Sequence, residues 1–147
     1  MPTRTARTAW TGGLQDGSGQ VELSSSKVGT FDVSFPKRAA DDAGGTTSPE
    51  ELIAAAHSAC YAMQLSANIA EGGGTPQSLD VTADVSLGPD TAGGFRITGI
   101  TLTVRGEVEG LDAAGFEKAA QAAKEGCPIS KALAAVETIE LDATLES

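Results

Sequence analysis

The chain has 147 residues, which fits one domain, residues 1–147, with room for a core. Twenty Asp and Glu against ten Lys and Arg give a net charge of −10, which argues against phosphate backbones and anionic membranes as partners. Two cysteines are too few for a secreted disulfide scaffold, and Met1 to Trp10 carries Arg4 and Arg7 but no apolar run or cleavage pattern, so a cytoplasmic protein is the default expectation.

The predicted order of elements is β, α, β, α, β. From Thr3 to Phe35, short runs are broken by Gly12-Gly13, Asp16-Gly17-Ser18-Gly19 and Gly29, a spacing that predicts an antiparallel meander. A polar loop follows, Ala39 to Thr47, rich in Asp and Gly. Ser48 then reads as an N-cap, Pro49 as the first helical position, and Glu51 as the residue that closes a capping box. The helix ends at Gly72-Gly73-Gly74. Its uncharged stretch, Leu52 to Ala70, approaches membrane-spanning length, but it is mostly alanine and holds His57, Gln64 and Asn68, so a buried helix of a soluble protein is the better reading.

Leu79, Val81, Ala83, Val85 and Leu87 alternate with polar residues as in a half-buried strand. Ile97 is out of phase with Ile100, Leu102 and Val104, which predicts a bulge near Gly99. Asp112 can cap a helix on which Phe116, Ala119, Ala120 and Ala123 share a face, and Gly126 stops it. Ile139, Leu141, Ala143 and Leu145 form a last alternating strand. No repeat or interdomain linker is visible. The apolar residues of the first helix surround it instead of forming one stripe, which predicts burial on most sides. Aromatics are only 4% of the chain, so one domain has limited core to cover such a helix, and a symmetric dimer would supply the rest.

The chemistry centres on two thiols. Cys60 lies in the middle of the helix, far from the favourable end of the dipole, and burial raises a thiol pKa unless a cation stands nearby. Cys127 precedes Pro128 at the start of a short helix, where an anion is favoured. On local physics Cys127 is the more acidic thiol, and Cys60 needs a positive charge from another segment to act as nucleophile.

Three segments taken in order, Thr47-Ser48-Pro49-Glu50-Glu51-Leu52, Ala55-Ala56-His57-Ser58-Ala59-Cys60 and Gly126-Cys127-Pro128-Ile129-Ser130, resemble those of the OsmC/Ohr thiol peroxidases. The likeness covers nearly the whole chain, including Asp80 to Leu87 and the closing strand. It implies an α+β, OsmC-like fold, with antiparallel sheets around long central helices in an intertwined homodimer. It also implies an enzyme that reduces organic hydroperoxides, with Cys60 peroxidatic, Cys127 resolving, Glu50 the carboxylate and an Arg completing the site. Ohr-type proteins hold that Arg in the glycine turn near the N-terminus, but Thr11 to Gly17 contains none. OsmC-type proteins hold it after the third strand, where Phe35-Pro36-Lys37-Arg38 stands. Arg38 is therefore the expected residue, with Lys37 as its substitute, and the OsmC branch the expected one. The resemblance implies no metal or flavin cofactor, and recycling by an external dithiol, a dihydrolipoyl group or lipoylated protein.

Glu50 and Cys60 are ten positions apart, roughly 15 Å along an unbroken helix. A carboxylate at the helix start cannot then orient an Arg that touches Cys60 of its own chain. Active sites shared across a two-fold axis resolve this, with Cys60 and Cys127 from one chain and Glu50 with Arg38 from the other. Two other readings compete. One is a non-enzymatic relative that senses redox state or binds an apolar ligand. The other is a zinc hydrolase built on Cys60, Cys127 and His57, which lies three residues before Cys60 on nearly the same helix face.

Overall fold

The glycine-punctuated runs at the start of the chain form a three-stranded antiparallel sheet, β1 (Arg7–Thr11), β2 (Ser18–Glu22) and β3 (Thr30–Val33), in that spatial order. The computed structural model describes residues 1–147 and contains two compact units, Met1–Leu52 and Ile53–Ser147. In the first unit, β1 is exposed along its whole length and Val21 is the only buried apolar residue. The sheet is followed by a short helix, α1 (Phe35–Arg38), which the sequence reading passed over. Ser34 caps it by accepting the Lys37 N–H at 3.4 Å, and Pro36 fits its first turn. At the far end of the polar loop, the Thr47 N–H donates to the Asp32 carbonyl at 2.9 Å, and Thr47 bridges Val33. The loop is thus returned to β3 just before the long helix begins.

That helix, α2 (Pro49–Glu71), is unbroken. Ser48 accepts the Glu51 N–H at 3.1 Å, as an N-cap should. The reciprocal half of the expected capping box is replaced: the Glu51 carboxylate accepts the Thr47 hydroxyl at 2.5 Å. At the other end, Gly73 turns left-handed at φ +89°, its N–H donates to the Ala70 carbonyl, and the Gly74 N–H donates to the Ile69 carbonyl. This is a Schellman stop, and only glycine adopts its left-handed residue cheaply. The expectation that α2 is buried on most sides does not hold for the single chain. One stripe, His57, Tyr61, Leu65 and Ile69, is fully buried at four-residue spacing, while Ala55, Ala56, Ala59, Met63 and Ala67 are exposed. No helix is long and apolar enough to cross a membrane.

The second sheet has the order β4 (Thr75–Pro89), β5 (Phe95–Glu109), β6 (Ile139–Leu145). β4 and β5 pair antiparallel, and the register shifts where Ser86 faces Gly99 and Leu87 faces Ile97, which leaves Thr98 as the extra residue of the expected bulge. The antiparallel arrangement does not extend to β6, which runs parallel to β5. The reason is the connection: α3 (Ala113–Gly126) and α4 (Pro128–Ala132) carry the chain back to the start of the sheet, and such a crossover yields a parallel neighbour. Asp112 caps α3 by accepting the Gly115 N–H at 2.8 Å. The buried face of α3 is Phe116, Ala119, Ala120 and Ala123, as its periodicity predicts. These residues form one cluster with Tyr61, Leu65 and Ile69 of α2 and Leu102, Val104 and Val108 of β5.

Gly106 of β5 marks the closest approach of helix and sheet. A Cβ there would lie 2.9 Å from the Phe116 ring and 3.1 Å from Leu79. Gly106→Ala should therefore destabilise the protein by about 1–3 kcal/mol. Adding Phe116→Leu should cost less in the Gly106→Ala background than in wild type, and a double-mutant cycle of urea midpoints measures the difference.

Candidate active site

In the first unit, Arg38 ends α1 and Glu50 stands in the first turn of α2. The guanidinium grips the carboxylate side-on: Nε donates to Oε1 at 3.0 Å and Oε2 at 3.1 Å, and Nη2 donates to Oε1 at 2.6 Å. Nη1 stays outside the pair. Glu50 is buried, whereas the Arg38 side chain is one-third exposed, at 33%. Lys37 faces elsewhere, with its ammonium over Gly44. Of the two cations expected as partners for the carboxylate, the structure brings Arg38 to it. Arg38 also forms part of the wall of a groove of about 490 Å³, whose other walls include Trp10, Leu14, Val33, Phe35 and Leu52. The groove is apolar apart from the guanidinium and a few hydroxyls.

In the second unit, the two cysteines meet although 67 residues separate them: their sulfurs are 3.0 Å apart. Both thiols are free. The contact is a hydrogen bond, longer than the S–S bond of about 2.05 Å, and it needs little movement to become one. Cys127 is completely buried, while Cys60, one residue off the buried stripe of α2, is only half-buried. Next to them, the buried His57 Nε2 lies 2.7 Å from the Oγ of buried Ser130. The Tyr61 hydroxyl donates to the Ala120 carbonyl at 3.0 Å and ties α2 to α3.

The two thiols are electrostatically unequal. Burial pushes Cys60 up, and the neighbouring Cys127 sulfur adds to the rise. Burial opposes ionisation of Cys127 as well, but contact with the Cys60 thiol, the Ser130 amide and hydroxyl, and the Ile129 amide outweigh it and bring the Cys127 pKa down. Neither amide makes a full capping bond to the neutral thiol; the start of α4 favours the anion. The reading that Cys127 is intrinsically the more acidic of the two therefore holds in the folded chain.

The family model described as OsmC-like protein matches residues 41–142. The chain belongs to the OsmC-like family. It is 44% identical to Peroxiredoxin OsmC of Escherichia coli (strain K12) over 138 residues, covering 94% of this chain and 93% of that protein. It is 36% identical to Organic hydroperoxide resistance protein OhrA of Bacillus subtilis (strain 168) over 150 residues, covering 99% and 96%. The crystal structure of OhrB of Bacillus subtilis superimposes with a TM-score of 0.70 at 31% identity, covering 97% of this chain and 98% of that one. The mixed α+β fold is the fold of these proteins.

Within this OsmC-like chain, the four expected site residues come together two by two, Arg38 with Glu50 and Cys60 with Cys127. His57 does not join the cysteines in a metal-holding group, since no three His, Cys, Asp or Glu side chains are so arranged; its Nε2 meets Ser130 instead. Ser130 is the residue that sequence reasoning quoted without assigning a role. The available signal was its position three residues after Cys127, one turn into a helix that Cys127 caps.

Burial lowers the pKa of His57 below its ordinary 6.5, so the folded chain holds it neutral. The unfolded chain takes up the additional proton as pH drops below that value. The stability tied to neutral His57 is complete above about pH 6.5 and is lost as pH falls toward the folded pKa. The urea midpoint of wild type should therefore drop more steeply on mild acidification than that of His57→Gln. Parallel slopes would mean that His57 is not held neutral.

Proposed function

We propose that the protein is a thiol peroxidase that reduces organic hydroperoxides to alcohols. The contact of two reduced sulfurs at 3.0 Å carries this reading, because a redox cycle through a disulfide requires it. Cys60, reached by solvent while Cys127 is not, meets the peroxide. Its thiolate attacks one peroxide oxygen, the O–O bond breaks, and the alkoxide leaves and takes up a proton. Cys60 is left as a sulfenic acid. Cys127 displaces its oxygen as water, and the Cys60–Cys127 disulfide forms. An external dithiol, of the dihydrolipoyl kind expected from the resemblance, reopens the disulfide by exchange. Neither metal nor flavin is needed.

The charge that Cys60 lacks in its own unit comes from Arg38, which Glu50 orients through two parallel hydrogen bonds. Because α2 is unbroken from Pro49 to Glu71, the carboxylate and the thiol stay ten residues apart on one rod. The protein works as a homodimer in which Arg38 and Glu50 of one copy serve Cys60 and Cys127 of the other. Two observations favour a second copy: the first unit buries only Val21 among its apolar residues, and α2 leaves a face of alanines and Met63 open. Both units then serve one OsmC-like domain. The groove beside Arg38 suits an alkyl or aryl hydroperoxide better than hydrogen peroxide. The names of the relatives, a peroxiredoxin and organic hydroperoxide resistance proteins, agree with this substrate class.

Steady-state turnover of cumene hydroperoxide with dihydrolipoamide should exceed turnover of hydrogen peroxide under the same conditions. Absence of turnover with any dithiol would instead favour a redox sensor. Cys60→Ser should abolish peroxide consumption, whereas Cys127→Ser should consume about one peroxide per site and then stall or over-oxidise. Equal single-turnover activity in the two variants would sink the assignment of roles.

Mixing Cys60→Ser with Arg38→Ala subunits tests the shared site, since each homodimer should be inactive. A mixed dimer would hold one doubly defective site and one intact site. Half the dimers are mixed and half their sites work, so recovery should approach about a quarter of wild type. If confirmed mixed dimers restore no activity, Arg38 acts within its own chain.

A further inference from the structure

His57 and Ser130 have no part in the peroxide step, yet they are buried beside the one completely buried thiol. His57 Nδ1 is also buried and has no hydrogen-bond partner. This orphan atom decides the direction of the whole chain of contacts. A neutral imidazole carries one N–H. If Nδ1 held it, a buried donor would go unmet, at a cost of about 1–3 kcal/mol. A bare lone pair is the cheaper orphan. The proton therefore sits on Nε2 and donates to Ser130 Oγ at 2.7 Å. The Ser130 hydroxyl proton is then free to point away from His57, toward Cys127, which stands one helical turn earlier at the cap of α4. Cys127 Sγ itself stands 3.0 Å from Cys60 Sγ, to which its neutral thiol donates.

We propose that His57 and Ser130 are positioning residues that form a buried one-way donor relay, His57 to Ser130 to Cys127, which favours the Cys127 thiolate once Cys60 has been oxidised. Its use in catalysis rests on the reading above that Cys127 resolves a Cys60 sulfenic acid. In that step the Cys127 thiolate is oxidised and the sulfenic sulfur is reduced. The S–S bond forms, the S–O bond breaks, and hydroxide leaves and takes a proton from solvent at the half-exposed Cys60 side. The proton that Cys127 gave up on ionising balances it, so thiol and sulfenic acid yield disulfide and water. The relay favours ionisation of Cys127 as soon as the sulfenic acid has replaced the neighbouring Cys60 thiolate, which shortens the exposure of that acid to a second peroxide. The contributions of the Ser130 hydroxyl and amide to the acidity of Cys127 agree with this geometry. The titratable groups linked electrostatically to Cys127 are Cys60 and Tyr61, both from α2, with Glu117 of α3 acting on Tyr61.

The test uses the full chain with Cys60→Ser, in which Cys127 is the only thiol, and follows thiolate absorbance against pH. Adding Ser130→Ala should move the Cys127 midpoint up by about one pH unit, the loss expected for one charge-assisted hydrogen bond. Ser130→Thr should restore it. His57→Leu should raise the midpoint, and His57→Gln, which keeps a donor near Nε2, should raise it less. A merely structural role would lower stability and leave these midpoints in place. With both cysteines present and one equivalent of hydroperoxide, Ser130→Ala should slow disulfide closure relative to peroxide consumption, by up to about tenfold. Unmoved midpoints in Ser130→Ala and His57→Leu overturn the relay, and so does a rise that Ser130→Thr fails to reverse. If wild type consumes no hydroperoxide, the peroxidase reading fails, and the titration still decides the relay.

Discussion

The four-residue repeat of His57, Tyr61, Leu65 and Ile69 sets the rotation of α2, and the chemistry of the second unit depends on that rotation. Tyr61, Leu65 and Ile69 are buried against β5 and α3, and each such burial contributes about 1.5–3 kcal/mol. A turn of the helix by one residue, about 100°, would lift all of them out of the core. Cys60 precedes Tyr61 by one residue and is therefore held at the edge of the stripe, near solvent yet against Cys127. His57 lies on the stripe itself, one turn before Tyr61, and a polar ring can sit there because Ser130 receives it.

Acidity and access consequently fall on different thiols. Cys127 gains from the start of α4 and from Ser130 but is sealed from solvent. Cys60 is open to solvent, but burial and its sulfur neighbour work against its ionisation. For the proposed peroxidase this division is useful: the open thiol meets the substrate, and the sealed one waits, already acidic. It also requires a cation for Cys60 that the second unit does not contribute. In the proposed peroxidase the Arg38–Glu50 pair would fill that role by geometry more than by energy. With its guanidinium one-third exposed it adds little to stability, but a side-on grip fixes the direction in which the charge points.

Much of the fold was legible in the sequence wherever the cause lies within a few residues. Ser48-Pro49 and Gly72-Gly73-Gly74 bounded α2, and Asp112 began α3, because caps act on backbone groups three or four positions away. Alternation in β4 and the phase break before Gly99 gave the strand and its bulge for the same reason. The parallel placement of β6 was not legible, since strand direction is set by the route of the crossover. The Glu51 carboxylate turned to Thr47 because a nearer hydroxyl competed for it.

For the candidate site, residue types and the resemblance to the OsmC/Ohr proteins sufficed to single out Cys60, Cys127, Arg38 and Glu50. The greater acidity of Cys127 could be read from its place before Pro128, a helix-end effect written in adjacent residues. Only tertiary structure decided that the two sulfurs touch, that Arg38 and not Lys37 grips Glu50, and that Ser130 receives His57. Propensity, capping and periodicity are properties of neighbours in sequence and survive in the chain read alone. Contacts across 67 or 73 residues depend on how α2, α3 and α4 are turned against one sheet, and that angle is settled by the packing of the whole core.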